Sequence, residues 1–433
     1  MTERFRRRIR PRRHVATHAA LLSLLVASLA GPIGSSAADG RTLQVPGDHA
    51  TLEAAIAASQ TGDVILLAAG TYPGGVVVPE DRPGITIRGV DRNSVVFDGE
   101  HNRRTAIEVE ADDVALENMT AHSFVENGFY WDAVEGFAGR YLTVWNVGLY
   151  GIYAIESRDG VMEHSYVSGA GDAAFYIGEC YPCDAVLRNL TATLSAVGYS
   201  GTNAGGNLVV EDSLFEANAV GILPNSYDVG LEPPPQREAI FRRNVVRGSG
   251  SVPTPRQTPL GGFHGIGIGI TGGVDNLVEA NEVSGSTRYG IVLVATVDRT
   301  TTFSVSGNRV TGNRVSGSGT ADLALAAPSG ADNCFEGNQA SILDPPELAS
   351  GCLPAGAGSD AVAAELMLPP PALLEGLPDA PPYTEMPAPP PQPTMTLPRT
   401  GLAIELVLVV AIAVAAPLLV VVGLLLAKRR RRT

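Results

Sequence analysis

Two glutamates raise the first chemical question. The stretches GIYAIES, AFYIGEC, GYSGTNA and GILPNSY each open on a small residue and run through a short apolar or aromatic strand. Aligned on those openings, Glu156, Glu179, Asn203 and Ser226 fall into one column. If the stretches stack as neighbouring strands, successive members lie about 4.8 Å apart. Glu156 and Glu179 then face each other. Like charges so close raise one pKa, which gives the acid and the base that cleavage of a glycosidic bond uses. Two other readings stay open: a solvated polar edge, or a Ca²⁺ site that uses both carboxylates.

Aromatic residues crowd the same region. Of the chain's 25 Phe, Tyr and Trp, 16 lie between Phe124 and Tyr227. Ring faces beside acids and amides suit sugars, whose apolar faces stack and whose hydroxyls take hydrogen bonds. Trp131, Tyr153, Tyr176 and Asn203 are the ligand-binding candidates, whereas Phe124, Phe175 and Phe215 read as core. Four cysteines complete the reactive inventory. Cys180 and Cys183 lie in a turn, GECYPCDA, where a redox pair would open a helix; a single CxxC is also a poor zinc site. Pairing within each local couple, Cys180 with Cys183 and Cys334 with Cys352, is the simplest disulfide scheme for an exported chain. No metal site is assigned.

These residues must be carried by repeats. Short apolar strands alternate with single polar markers: Asn118, Asn146, His164, Asn189, Asp212, Asn244, Asn281, Asn308 and Asn338. The eight intervals average 27.5 residues and range from 18 to 37. That period is too short and too strand-rich for helical repeats. It predicts an all-β parallel solenoid, whose coils bury their apolar faces only by stacking. The asparagine markers predict a ladder of stacked amides. Thr51 can cap a helix over 51–59 that covers the exposed first coil. The insertions YDVGLEPPPQREA and SVPTPRQTPLGGF leave the coil and, as in other repeat folds, should gather on one face.

The run PGDHATLEAAIAASQTGDVILLAAGTY, then GITIRGV, VVFDG and the Asn/Gly-marked coils resemble right-handed parallel β-helix proteins of the pectin-lyase-like superfamily. The likeness covers about 42–340 and implies that fold; it implies no single activity, because the fold hosts lyases, hydrolases, epimerases and adhesins. In FHGIGIGITGG, the His264-Gly265 pair is similar to one found in pectin-degrading hydrolases. Their Asn-Thr-Asp and Arg-Ile-Lys motifs are missing here, so His264 reads as structural. The lyases' Arg or Lys base has one weak counterpart, Arg158 beside Asp159.

The two ends carry targeting features. Seven arginines in 1–13, an apolar Ala19–Ala30 and a small-residue site ending at Ala38 read as a signal peptide over 1–38. After the solenoid of 39–352, a proline-rich stretch over 353–396 reads as a semi-rigid linker. Leu397-Pro398-Arg399-Thr400-Gly401 resembles the LPxTG signal of sortase substrates. An uncharged run, 406–427, then spans a bilayer's thickness as a transmembrane helix, and a basic tail closes the segment 397–433. Residues 39–400 hold 19 Arg, no Lys and 43 acidic residues, a net charge of −24. That charge repels nucleic acid and makes polyuronates poor ligands unless a cation bridges them. The expectation is therefore a monomeric cell-surface β-helix that binds extracellular or cell-wall polysaccharide. The rivals are a polysaccharide hydrolase or lyase and a structural adhesin.

Overall fold

The computed structural model describes residues 40–256, 260–366 and 379–396. The expected signal peptide, sortase signal and transmembrane span lie outside them. The chain winds into a parallel β-solenoid built on a 21-stranded and an 11-stranded sheet, here the broad and the narrow sheet. A regular coil gives one strand to the narrow sheet (Val197–Thr202) and two to the broad sheet (Gly205–Glu211 and Leu214–Glu216). Ala185 pairs with Leu208, so such a coil takes 23 residues. Ile222 pairs with Ile268, 46 residues on, because both insertions fall within that coil.

Corners are made by single residues in the left-handed region. Between paired strands of the broad sheet stand Asn118, Tyr141, His164, Asn189, Asp212 and Arg243, with φ from 49° to 61°. Asn, Asp and His tolerate this conformation best, which is why the markers recur there. The residue after the corner turns inward and stacks on its equivalent. In the later coils that residue is asparagine: Asn244, Asn281, Asn313 and Asn338 form a buried ladder with amide contacts of 3.1, 2.9 and 2.9 Å. At another corner Gln236, Asn276, Asn308 and Asn333 form a second ladder, at 2.8, 3.0 and 3.0 Å. The markers thus do not form one ladder. Asn118, Asn189 and Asp212 occupy the left-handed corner itself, Asn308 belongs to the second ladder, and Asn146 to a third corner.

The inside is a set of apolar columns. Ile107, Phe129, Ile152, Phe175, Tyr199, Ile222, Ile268, Ile291 and Leu323 stack in register along the narrow sheet, none more than 2% exposed. Each such side chain contributes roughly 1.5–3 kcal/mol by leaving water. On the outer face of the broad sheet, Arg88, Glu117, Arg140, Glu163, Arg188, Glu211, Arg242 and Glu279 occupy one column, one per coil, with alternating sign. Contacts include Arg88–Glu117 at 2.5 Å, Arg140–Glu163 at 2.9 Å and Arg188–Glu163 at 2.7 Å. Both disulfides pair as expected, Cys180–Cys183 and Cys334–Cys352.

Helix α1 (Leu52–Ala58) forms where expected, with Thr51 accepting from the Ala54 amide and Leu52, Ala55 and Ile56 buried. The proline-rich region differs from a free spacer, because two pieces of it lie on the solenoid. Helix α2 (Asp360–Leu366) buries Val362 and Leu366, and its Glu365 binds Arg288 at 2.5 Å and the Tyr289 hydroxyl. Residues 383–395 return along the broad sheet as a strap. Met386 packs on Gly169, where a Cβ would come within 2.8 Å of it. Arg92, 2% exposed, donates to the carbonyls of Pro393, His164 and Leu142. Asn93 exchanges two hydrogen bonds with Gln392, and Asn118 Oδ1 accepts from the Thr394 hydroxyl and the Met395 amide.

Two outcomes follow from these contacts. Asn281→Ala removes acceptor and donor from Asn244, Asn313 and the Phe241 carbonyl. At about 1–3 kcal/mol for each buried group left unpaired, denaturant unfolding should show a loss of about 3 kcal/mol. Thr394→Val should leave the unfolding midpoint unchanged but speed hydrogen exchange at the Gln392 and Met395 amides several-fold; equal exchange would refute the docked strap.

Candidate functional site

The narrow sheet points alternate residues outward, and one outward column is aromatic. Glu108, Tyr130, Tyr153 and Tyr176 follow one another in register on successive coils. The Tyr130 and Tyr153 rings stack at 4.7 Å, and Tyr150 stacks on Tyr153 at 4.4 Å. Tyr176 meets Tyr153 edge-on at 5.0 Å and Tyr150 at a tilt, 5.1 Å away. Beside Tyr130 opens a cleft of about 400 Å³, lined by Val77, Arg104, Thr105, Glu108, Glu126 and Asn127 among others.

Carboxylates rim this tyrosine shelf. Burial pushes Glu108 above the usual carboxylate range, and Asp132 and Glu110 push the same way. Glu156 is also raised, first by burial and then by Asp132. The Tyr130 hydroxyl is pushed well above its ordinary range, first by burial and then by the charges of Asp132 and Glu108. Arg104 is held charged by a two-pronged contact with Glu126, 2.7 and 2.6 Å.

The expected column is present. Glu156 donates its amide to Gly178, Glu179 to Thr202, Asn203 to Asn225 and Ser226 to Thr271, so all four hold equivalent places. Glu156, Glu179 and Asn203 share a left-handed φ of 50–56°. Their accessibility differs. Glu156 is exposed, but the first insertion closes over Glu179, which is 4% exposed. Its carboxylate accepts from the Glu232 amide at 3.0 Å and from Asn203 at 3.4 Å. Asn203 is fully buried and ties down the same insertion through Tyr227 N and O. A joint acid–base pair facing a substrate is therefore not what this column forms; Glu179 and Asn203 hold a loop.

The aromatic candidates also divide. Trp131 is a correction: it follows Tyr130 by one residue, so it faces inward, fully buried, its indole N–H donating to the Val114 carbonyl. Tyr176 and Tyr153 are only 6% and 9% exposed, under Leu231 and their neighbours, so they support the shelf from behind. Tyr130 and Tyr150 carry the more open rings. His264 is 4% exposed, and burial holds it near pKa 4, so it is neutral. Glu108, Asp132 and Asn127 were not singled out by the column alignment. The period-2 alternation in AIEVE and NGFYWD, once put in register, places them beside Tyr130.

No family model matches the chain, and no curated protein does. Among solved structures it is similar to an alginate lyase from Paenibacillus sp. str. FPU-7, at 16% identity over 70% of this chain and 99% of that one, TM-score 0.43. It is also similar to the A-module of the mannuronan C-5 epimerase AlgE6 of Azotobacter vinelandii, at 12% identity over 67% and 92%, TM-score 0.38. A third is the catalytic domain of a GH87 α-1,3-glucanase, at 14% identity over 69% and 67%, TM-score 0.41. At such values the likeness is one of general architecture and says nothing of what this cleft binds.

Glu179 yields a pH test. Burial is the main cause of its pKa rising from 4.5 to about 8, so the fold favours the protonated carboxyl. Its stabilisation is full below about pH 4.5 and declines as pH rises to about 8, because the unfolded chain gives up that proton first. Between pH 5 and 9 the denaturation midpoint of Glu179→Gln should fall less than that of the unsubstituted protein; parallel pH profiles would refute the shift.

Proposed function

We propose that this β-helix binds glycan at the tyrosine shelf, with the reducing or non-reducing residues of an extracellular polysaccharide lodged in the cleft beside Tyr130. One observation carries the reading: a stacked Tyr150–Tyr153–Tyr130 row that ends at a 400 Å³ cleft edged by carboxylates and an amide. Rigid ring stacks present an apolar face at little entropic cost, and the surrounding oxygens accept from sugar hydroxyls. The second reading, a polysaccharide hydrolase or lyase, is favoured by Glu108 and Glu156, both raised above the ordinary range around Asp132. A structural adhesin would have no need of such a cleft.

The same proposal covers the chain's setting. The basic and apolar head of 1–38 supports export, and Leu397–Gly401, the apolar 406–427 and the basic tail support sortase linkage after Thr400 or retention in a membrane. The solenoid is then right-handed, closed by α1 at its first coil, and held outside the cell. Mature protein that keeps residues 401–433 in the membrane fraction would argue against wall linkage.

A glycan array followed by product analysis tests the main reading. Tyr130→Ala should weaken binding at least tenfold, about 1.4 kcal/mol, with an unchanged melting temperature. Unaltered affinity would remove the shelf as the site. New reducing or unsaturated ends that vanish in Glu108→Gln or Glu156→Gln would favour the enzyme.

A further inference from the structure

The proline-rich strap is held as a ligand is held, not as a core element is. Met386 is the one buried side chain among residues 383–396, and Pro387, Ala388, Pro390, Pro391, Pro393 and Thr394 stay exposed. The hold lies at the two ends. At one, Met386 seats on Gly169, and the Asn146 side-chain amide donates to the Thr384 carbonyl at 3.4 Å. At the other, the Gln392 amide donates to Asn93 Oδ1 at 2.8 Å, and Asn93 Nδ2 donates back to the Gln392 carbonyl at 2.9 Å. Arg92 Nη1 donates to the Pro393 carbonyl at 3.0 Å. Asn118 Oδ1 accepts from the Thr394 hydroxyl at 2.7 Å and from the Met395 amide at 2.8 Å.

The receiving side is built without the strap. Arg92 also donates to Thr143 Oγ1 at 2.6 Å and to the carbonyls of His164 and Leu142. Asn118 Nδ2 donates to the Gly89 carbonyl at 2.8 Å. Those partners belong to the solenoid, so Arg92 and Asn118 keep their positions when the strap leaves. Preorganisation of this kind favours binding, because little has to be ordered on contact. The strap is stiff as well. Each proline fixes its own φ and restricts the residue before it to extended backbone.

Between its ends the strap follows the sheet. The six steps from Met386 to Gln392 reach about 19 Å in polyproline II form. Residues 119–124 and 142–147, neighbouring strand segments in register, each span about 17 Å. Asn118 stands at one end of them and Asn146 at the other. Pro387–Pro391 thus runs lengthwise along segments whose outward residues include His122 and Trp145. Those two rings stack at 4.6 Å, and both are partly open. Grooves lined by aromatic residues are a recurring means of binding proline-rich chain.

We propose that Arg92, Asn93 and Asn118, with the His122–Trp145 face beside them, form a binding groove for proline-rich peptide of the pattern Gln-Pro-Thr, and that residues 386–395 occupy it as an exchangeable ligand. The prolines supply extended backbone, the carbonyls meet Asn93 and Arg92, and the threonine hydroxyl meets Asn118. With the groove filled, the chain departs from the solenoid at Thr396, on the broad sheet. With it empty, the chain departs at Leu366 of α2, over the narrow sheet. The strap then sets which face is tethered; that use rests on the anchoring proposed above, whereas the groove does not.

The test is fluorescence anisotropy of a labelled peptide of residues 383–396, YTEMPAPPPQPTMT, with the full chain in detergent micelles. Hydrogen exchange is the second readout. The chain's own strap competes at high effective concentration. Thr394→Val, which weakens the strap in place, should therefore bind the peptide about fivefold tighter or more than the unsubstituted chain does. Asn93 is exposed, so adding Asn93→Ala to Thr394→Val should weaken the peptide several-fold at an unchanged melting temperature. A peptide of the same composition in scrambled order should bind far more weakly. Saturating peptide should speed exchange at the unsubstituted chain's own Gln392 and Met395 amides. The groove is overturned by absence of binding to Thr394→Val at about 1 mM peptide, by equal binding of the scrambled peptide, or by binding that leaves those two amides unchanged. None of these outcomes involves residues 397–433. A chain whose strap exchanges but which is recovered free of wall and membrane keeps the groove and loses the anchoring reading; a wall-linked chain whose strap does not exchange does the reverse.

Discussion

Main-chain pairing between successive coils is the constraint on which everything else hangs. A single coil has no partner for its own strands, so its amides and carbonyls bond only to the coil before and the coil after. Such pairing is indifferent to register, and side chains must choose it. Three devices do so here. Left-handed corner residues fix where each strand stops. Inward columns such as Ile152–Phe175–Tyr199–Ile222 fit only when like positions meet. The alternating column from Arg88 to Glu279 brings unlike charges together in register; a one-residue slip would turn every member of it toward the core, where an unpaired charge is untenable.

Register also makes the site. Once Phe129, Ile152 and Phe175 are stacked inside, Tyr130, Tyr153 and Tyr176 must stack outside, since alternate residues of a strand face opposite ways. The shelf is therefore the outer image of the core. What limits it is cover. Along the later coils the same sheet carries an apolar outer patch, including Val220, Ile266 and Val292, and α2 with Leu260 lies over it. The first insertion seals the middle at Glu179 and Leu231. The early coils, where connections are short, leave the outward side chains of Val77, Glu108 and Tyr130 at least partly open.

The sequence showed more of the fold than of the site. The Glu156–Glu179–Asn203–Ser226 column could be read because each member follows a strand with a small lead residue, so a local alignment is also a spatial one. Trp131 misled because composition marks a rich region without saying which of two neighbours faces out. The closure of Glu179 depends on Glu232, 53 residues away in an insertion whose path has no period to betray it. The strap is harder still. Arg92 and Asn118 meet Pro393 and Thr394 across 301 and 276 residues, and a proline-rich composition reads the same whether the segment is docked or free.

The distribution of arginine ties the two faces together. In the broad sheet, Arg88, Arg140, Arg188, Arg242 and Arg243 are each set against a glutamate or aspartate, so that face is close to balanced although the whole chain is strongly acidic. The surplus negative charge must then sit elsewhere, and part of it stands around Tyr130. A solenoid needs balanced columns where coils stack charge on charge, because like charges directly opposite on neighbouring strands repel. The alternating charges that hold the broad sheet in register thus give way, on the outer face of the narrow sheet's early coils, to a column of stacked tyrosine rings.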